Sequence, residues 1–359
     1  RISYLVSRIS YLVSELVTHL IRRARPLGIK SAKQQRGGQA RAPMITIYNV
    51  SDGRLKAGDT WLRGSWLHVE DPTEDEIERL CERAAVPRDF ISSALDPREI
   101  ARADAQDGAR MVILRMANEF GQSERVPYGT IPLALIVTPE NFLTVCRKRV
   151  DFAADLNDSC KGDALMSHWP GRMIPAILRI VAARYLVCLE EIDDRLEDVE
   201  NRLMDSIENS EMLELLRYEK SLVLIKTGLG WDVTMIDRLQ GKEAFAWDDV
   251  EKEELDDALI EFRQGYQMAS TFLEMLESTT DAFASLISNN LSVVMKFMAA
   301  VTIVLTVPMI IASVYGMNVP MPGNSHPLMF LFLAILSVVL SLLTALWFYR
   351  RSWLSLRRR

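Results

Sequence analysis

Seven polar side chains near the C-terminal end share one face of a helix. At 100° per residue, Asp281, Ser285, Ser288, Ser292, Thr302, Thr306 and Ser313 fall within an arc of roughly 100°, with Met295, Ala299 and Met309 on the same side. Oxygens aligned along a helix can carry a hydrated cation past them. The same stripe also suits helix packing, because Ser and Thr line interhelical contacts in membranes or bond to their own backbone. Both readings stay open on the stripe alone. A chain with two spans cannot enclose a pore, so the first reading requires several subunits around an axis. Other chemistry lacks its residues. Neither GxxxxGKS/T nor GxGxxG occurs, so nucleotide-driven transport is not expected. No Ser-His-Asp or Cys-His arrangement stands out, and no enzyme activity is expected. Cys81, Cys146, Cys160 and Cys188 show no CxxC spacing, which speaks against a zinc site or a disulfide framework. His68 and His168 read as ordinary polar residues rather than ligands.

The stripe must be positioned by a membrane. The chain has 359 residues with 42 basic and 48 acidic side chains, a net charge of -6, and no nucleic-acid partner is expected. Charge is absent from Phe297 to Tyr349 apart from His326, whereas the preceding region is densely charged. Crossing a bilayer takes about 20 apolar residues. Residues 297–315 and 328–349 meet that need, the first with help from its flanks. Lys and Arg mark the cytoplasmic side. Lys296 precedes the first span, Arg350 and Arg351 follow the second, and the loop 316–327 has no base. Both termini are therefore expected in the cytoplasm and the loop outside, in an inner (plasma) membrane with the lipid bilayer as partner. Residues 350–359 form a basic tail.

The rest divides in two. Residues 44–165 mix β-rich runs (MITIYNV, SWLHVE, ARMVILRM, TIPLALIVT, NFLTVC) with capped helical stretches, of which DPTEDEIERLCERA is the clearest. There Thr73 precedes an acidic first turn and Glu76 stands three residues on. These predict an α+β cytoplasmic domain with a small, mainly antiparallel sheet. Residues 166–296 predict long helices: one over ILRIVAARYLVCLEEIDDRLEDVENRLMD, one over EMLELLRYEKSLVLIKTGLGWDVTMIDRLQ, and one from near Trp247 into the first span. The last spans roughly 65 residues, about 100 Å, and couples cytoplasm to bilayer. Residues 1–43 open with RISYLVS twice and hold only Glu15 as an acid before Arg41. They read as an upstream-frame extension or a transit-type segment outside the fold.

Tyr315-Gly316-Met317-Asn318, at the outer end of the first span, resembles the signature of the CorA family of magnesium channels. The resemblance extends through NNLSVVMKFMAAVTIVLTVPMIIASVYGMNVP and to WLHVEDPTEDEIERL and ISSALDPREIARAD in the soluble domain. It covers essentially everything after Met44. It implies a homopentameric funnel with two C-terminal transmembrane helices per chain, the first lining the pore. Gly316, Met317 and Asn318 would form the selectivity filter. Asp281 would be an acidic ring at the inner pore, and Met295 and Met298 would narrow its inner end. Where the family usually carries Asn on the pore face, this chain has Ser292. Intracellular magnesium would be sensed at acidic sites between subunits, with Asp107 and Asp257 matching best and Asp104 and Asp256 beside them.

The expected function is channel-type transport of magnesium, with cobalt or nickel as further divalent cations, driven by membrane potential and gated by intracellular magnesium. A zinc transporter of the same superfamily and a membrane-anchored scaffold without ion flux are the alternatives.

Overall fold

Trp66–Glu70 and Phe142–Cys146 are short runs in which every position but Glu70 is buried. They lie side by side in the middle of a mixed sheet. The computed structural model describes residues 45–351 and 353, except 52–53, 149, 160–171, 206–208, 242–244, 246 and 318–327. Seven strands, β1 (Ile45–Ser51), β2 (Arg54–Gly58), β3 (Trp66–Glu70), β4 (Arg102–Gln106), β5 (Ala109–Glu119), β6 (Tyr128–Val137) and β7 (Phe142–Cys146), pair in the order β2-β1-β3-β7-β6-β5-β4. All pairs are antiparallel except β3–β7. The expectation of a mainly antiparallel sheet holds. The edge strands β2 and β4 lie outside the sequence reading.

Both faces of the sheet are covered, so β5 and β6 are apolar almost throughout rather than alternating. On one face α1 (Glu74–Ala84) and α2 (Arg88–Leu95) pack Ile77, Leu80, Phe90 and Ile91 onto Val69, Ile113, Ile136 and Val145. The start of α1 has the expected box: Thr73 donates its backbone N–H to Glu76 Oε2 at 2.9 Å. A further short helix, α3 (Phe152–Ser159), follows β7.

The long helices are α4 (Met173–Asp205), α5 (Asn209–Leu239), α6 (Asp249–Tyr315) and α7 (Met329–Arg350). In α5 the buried positions Leu215, Tyr218, Leu222, Ile225, Leu229, Asp232, Ile236 and Leu239 recur at alternating steps of three and four, a seam pattern for near-antiparallel helix packing. Asp232 is the polar member. It accepts the backbone N–H of Arg115 at 2.7 Å and the hydroxyl of Tyr185 at 3.1 Å. Arg115 lies opposite Pro132 in the β5–β6 ladder, and β4 pairing ends at Ile113. Its N–H therefore faces an edge with no strand, and Asp232 fills the vacancy. The guanidinium of Arg115 donates to the carbonyls of Pro97, Glu99 and Thr130. Burial pushes the carboxyl of Asp232 well above the usual carboxylate range.

Gly228, one turn before Asp232, lets α5 come this close. A Cβ there would lie 2.9 Å from Thr130 Cγ2 and 2.9 Å from Tyr185 Oη.

The chain falls into two compact units that divide after Leu276. The second contains two helical stretches long and apolar enough to cross a membrane, the distal part of α6 and the whole of α7.

Candidate functional site

The distal half of α6 is one uninterrupted helix to Tyr315, with Pro308 inside it. Asp281, Ser285, Ser288, Ser292, Thr302 and Ser313 are all exposed on the protomer, as are Met295, Met298, Ala299 and Met309, while Thr306 is half-buried. Asp281, Ser285, Ser288 and Ser292 line a shallow polar depression together with Ala284 and Asn289. Asn289 escaped the sequence reading because it sits at the edge of the arc, about 40° past Ser285 at 100° per residue. It brings a carboxamide to the stripe one turn before Ser292, where the resemblance leads one to expect Asn.

Three of the hydroxyls bond to their own helix. Ser292 Oγ donates to the carbonyl of Ser288 at 3.0 Å, Thr302 Oγ1 to that of Met298 at 2.8 Å, and Thr306 Oγ1 to that of Thr302 at 2.7 Å. A hydroxyl has one proton and two lone pairs. With the proton turned inward, what remains on the outer side is acceptor only. At these three positions the outer side suits the water hydrogens around a cation and offers no hydroxyl proton to an anion.

At the outer end, Gly316 donates its N–H to Ala312 O at 2.9 Å, and a Cβ on Gly316 would press on that carbonyl at 3.1 Å. Its φ is not positive, so close approach rather than a left-handed turn explains the glycine. Met317 is exposed and donates its N–H to Val314 O at 3.4 Å. Asn318, like Cys160, His168 and residues 1–43, lies outside the described residues.

Pro308 has no N–H to give the carbonyl of Val304, four residues earlier. That carbonyl is reached instead by Ser341 Oγ of α7 at 3.5 Å. A cleft between the two helices, lined by Pro308, Ala312, Tyr315, Phe330 and Ser337 among others, lies alongside.

The acidic residues expected to sense metal occupy two places in the first unit. Asp107 and Gly108, with φ of 52° and 81°, form the tight turn between β4 and β5. Asp104 on β4 is held by Arg102 at 2.8 Å. On α6, Asp256 accepts from Gln240 Nε2 at 2.6 Å, and Asp257 is exposed. Near Asp257, burial raises the carboxyl of Glu261, Arg179 opposes the shift, and Asp257 adds to it. Among the described residues no three His, Cys, Asp or Glu side chains gather as a metal cage in one protomer.

An α+β domain, long helices and two membrane-length C-terminal helices, the first with a polar stripe, define a membrane protein with two candidate spans per chain. The chain belongs to the CorA-like Mg2+ transporter family, whose model matches residues 62–350. It is 24% identical over 293 residues to the cobalt/magnesium transport protein CorA of Methanocaldococcus jannaschii, covering 80% of this chain and 91% of that protein. The complete structure of the magnesium transporter CorA from that organism superposes with a TM-score of 0.76 at 22% identity, over 87% of this chain and 99% of the other. The full-length CmaX protein superposes at 0.63 with 16% identity over 86% and 96%. The cytoplasmic domain of ZntB from Vibrio parahaemolyticus reaches 0.52 with 14% identity over 68% and 98%.

Proposed function

We propose that five copies of this chain surround an axis with α6 innermost, forming a channel for magnesium in an inner (plasma) membrane. On this reading residues 44–165 and 166–296 make a cytoplasmic funnel, 297–315 and 328–349 span the bilayer, and both termini lie in the cytoplasm. The observation that carries it is that three hydroxyls of the α6 stripe, those of Ser292, Thr302 and Thr306, turn their protons to the helix backbone and leave their lone pairs outward.

Magnesium holds its waters tightly and demands near-octahedral geometry, so stripping them is costly. An acceptor surface avoids that cost by bonding to the hydrated ion. The carboxamide of Asn318 would supply a first ring of neutral oxygens at the outer mouth. Asp281 would concentrate cation at the inner one, with Met295 and Met298 as an apolar constriction. The membrane potential supplies about 2.3 kcal/mol per charge per 100 mV, about 4.6 for a divalent ion, and no nucleotide is needed. Asp107 and Asp257, with Asp104 and Asp256 beside them, would close the funnel by sharing magnesium between subunits. A zinc transporter of the same architecture is the second reading.

The test is flux into liposomes under an imposed potential, with magnesium and zinc assayed side by side. Asn318→Leu should assemble and lose magnesium flux. An assembled Leu variant that conducts at the parent rate would make Asn318 a turn residue only.

A further inference from the structure

The cytoplasmic end proposed for α7 carries features that ion passage does not use. Trp347, Phe348, Tyr349 and Trp353 crowd its last turn around Arg350 and Arg351. Trp353 folds back on the end of the helix. Arg351 and Trp353 donate their N–H groups to the carbonyls of Trp347 and Phe348 at 3.1 and 3.0 Å, and the ring of Trp353 stacks on Phe348 at 5.3 Å. The guanidinium of Arg351 lies over the Trp347 ring at 5.5 Å. Phe348 is thereby buried, while Trp347, Tyr349 and both arginines stay exposed. Arg357, Arg358 and Arg359 follow in the sequence, and no Asp or Glu occurs after Asp281. Arg350 and Arg351 therefore have no Asp or Glu within α7 to pair with.

We infer that this end of α7 is a docking surface for anionic phospholipid headgroups. Tryptophan and tyrosine settle at headgroup level because one end of the ring is apolar and the other polar. That level is also where lipid phosphates lie. Arg350 and Arg351 project from the same turn, and a guanidinium fork matches phosphate oxygens. The fold-back of Trp353 onto Phe348 keeps this turn compact at the interface rather than letting it extend away. Charge complementarity selects the occupant: exposed positive charge at a bilayer surface attracts acidic lipid, at about fivefold in partitioning per basic residue. The inference rests on α7 spanning the bilayer and not on which ion is carried.

The test uses the full-length protein in vesicles of phosphatidylcholine and phosphatidylglycerol in equal amounts, with one lipid or the other brominated on its acyl chains. Bromine quenches nearby tryptophan, and among the described tryptophans only Trp347 and Trp353 belong to the second unit. A Trp347→Phe/Trp353→Phe protein supplies the background. Brominated phosphatidylglycerol should quench more than brominated phosphatidylcholine, by up to about fivefold in relative affinity per arginine, and the preference should fall with added salt. Arg350→Gln/Arg351→Gln should bring the two lipids close to parity, while Arg350→Lys/Arg351→Lys should keep the preference. Equal quenching in the parent, or a preference untouched by the Gln pair, overturns the proposal. Quenching by neither lipid overturns it as well and removes the span of α7 with it.

Discussion

Replacing Thr302 and Thr306 by Val separates a pore from a packing seam. Val is nearly the shape of Thr and prefers one rotamer in a helix, so the exchange removes two hydroxyls and little else. The carbonyls of Met298 and Thr302 that accept them also accept the helical N–H four residues on, so neither is left without a partner. The loss of stability should therefore stay below about 0.5 kcal/mol per site. Flux should respond far more. On the pore reading each ring of hydroxyl oxygens would face water polarised by a divalent ion, where a hydrogen bond is worth about 1.5–3 kcal/mol. Losing that at one ring should slow passage by roughly 10- to 100-fold. Magnesium flux into liposomes, with the oligomer checked by mass, decides the matter. Assembled Thr302→Val/Thr306→Val protein that conducts at the parent rate would refute the acceptor-surface argument and leave the stripe as packing.

Three further outcomes follow from the geometry. Gly228→Ala gains about 1 kcal/mol of helix propensity, but its Cβ collides with Thr130 and Tyr185 at a cost of about 1–3 kcal/mol. Thermal unfolding of the full chain should show net destabilisation, and a raised melting temperature would contradict the close packing. Because burial raises the carboxyl of Asp232 in the folded state, the fold retains a proton there that the unfolded chain releases above about pH 4. That contribution is fully present below this pH and is lost as pH climbs toward the folded value, so Asp232→Asn should flatten the pH profile of stability in that window. An unchanged slope would mean another group carries it. Ser341→Ala should weaken the α6–α7 contact by about 0.6 kcal/mol but be silent beside Pro308→Ala, which restores an N–H for Val304. Additive effects in the double variant would mean that Ser341 does not serve the carbonyl freed by Pro308.

Much was legible in the sequence because local chemistry dictates it. Charge-free runs of membrane length mark the spans whatever lies around them, and the three-four spacing of apolar residues marks α4, α5 and α6 because a helix repeats every 3.6 residues. Arg102–Gln106 does not read as a strand because RADAQ offers only Ala103 and Ala105 as its apolar face, with no β-branched or aromatic residue. It pairs only because the Asp107-Gly108 turn folds it back on β5. The parallel β3–β7 pair joins segments more than 70 residues apart, and no periodicity records such a partner.

What the sequence by itself determined is the division of labour: an acidic α+β body, long helices, two uncharged spans and a polar stripe on the first. Tertiary structure decided the rest. Asp232 reads in sequence as one more acid on a charged helix, yet it satisfies a strand N–H left bare where β4 stops. Ser341 reads as one more small residue in a span, yet it reaches the carbonyl that Pro308 leaves open. The physical reason is common to both. A periodic pattern reports which face of an element is apolar, whereas the partner of a single polar atom depends on where another element brings its own unpaired donor or acceptor.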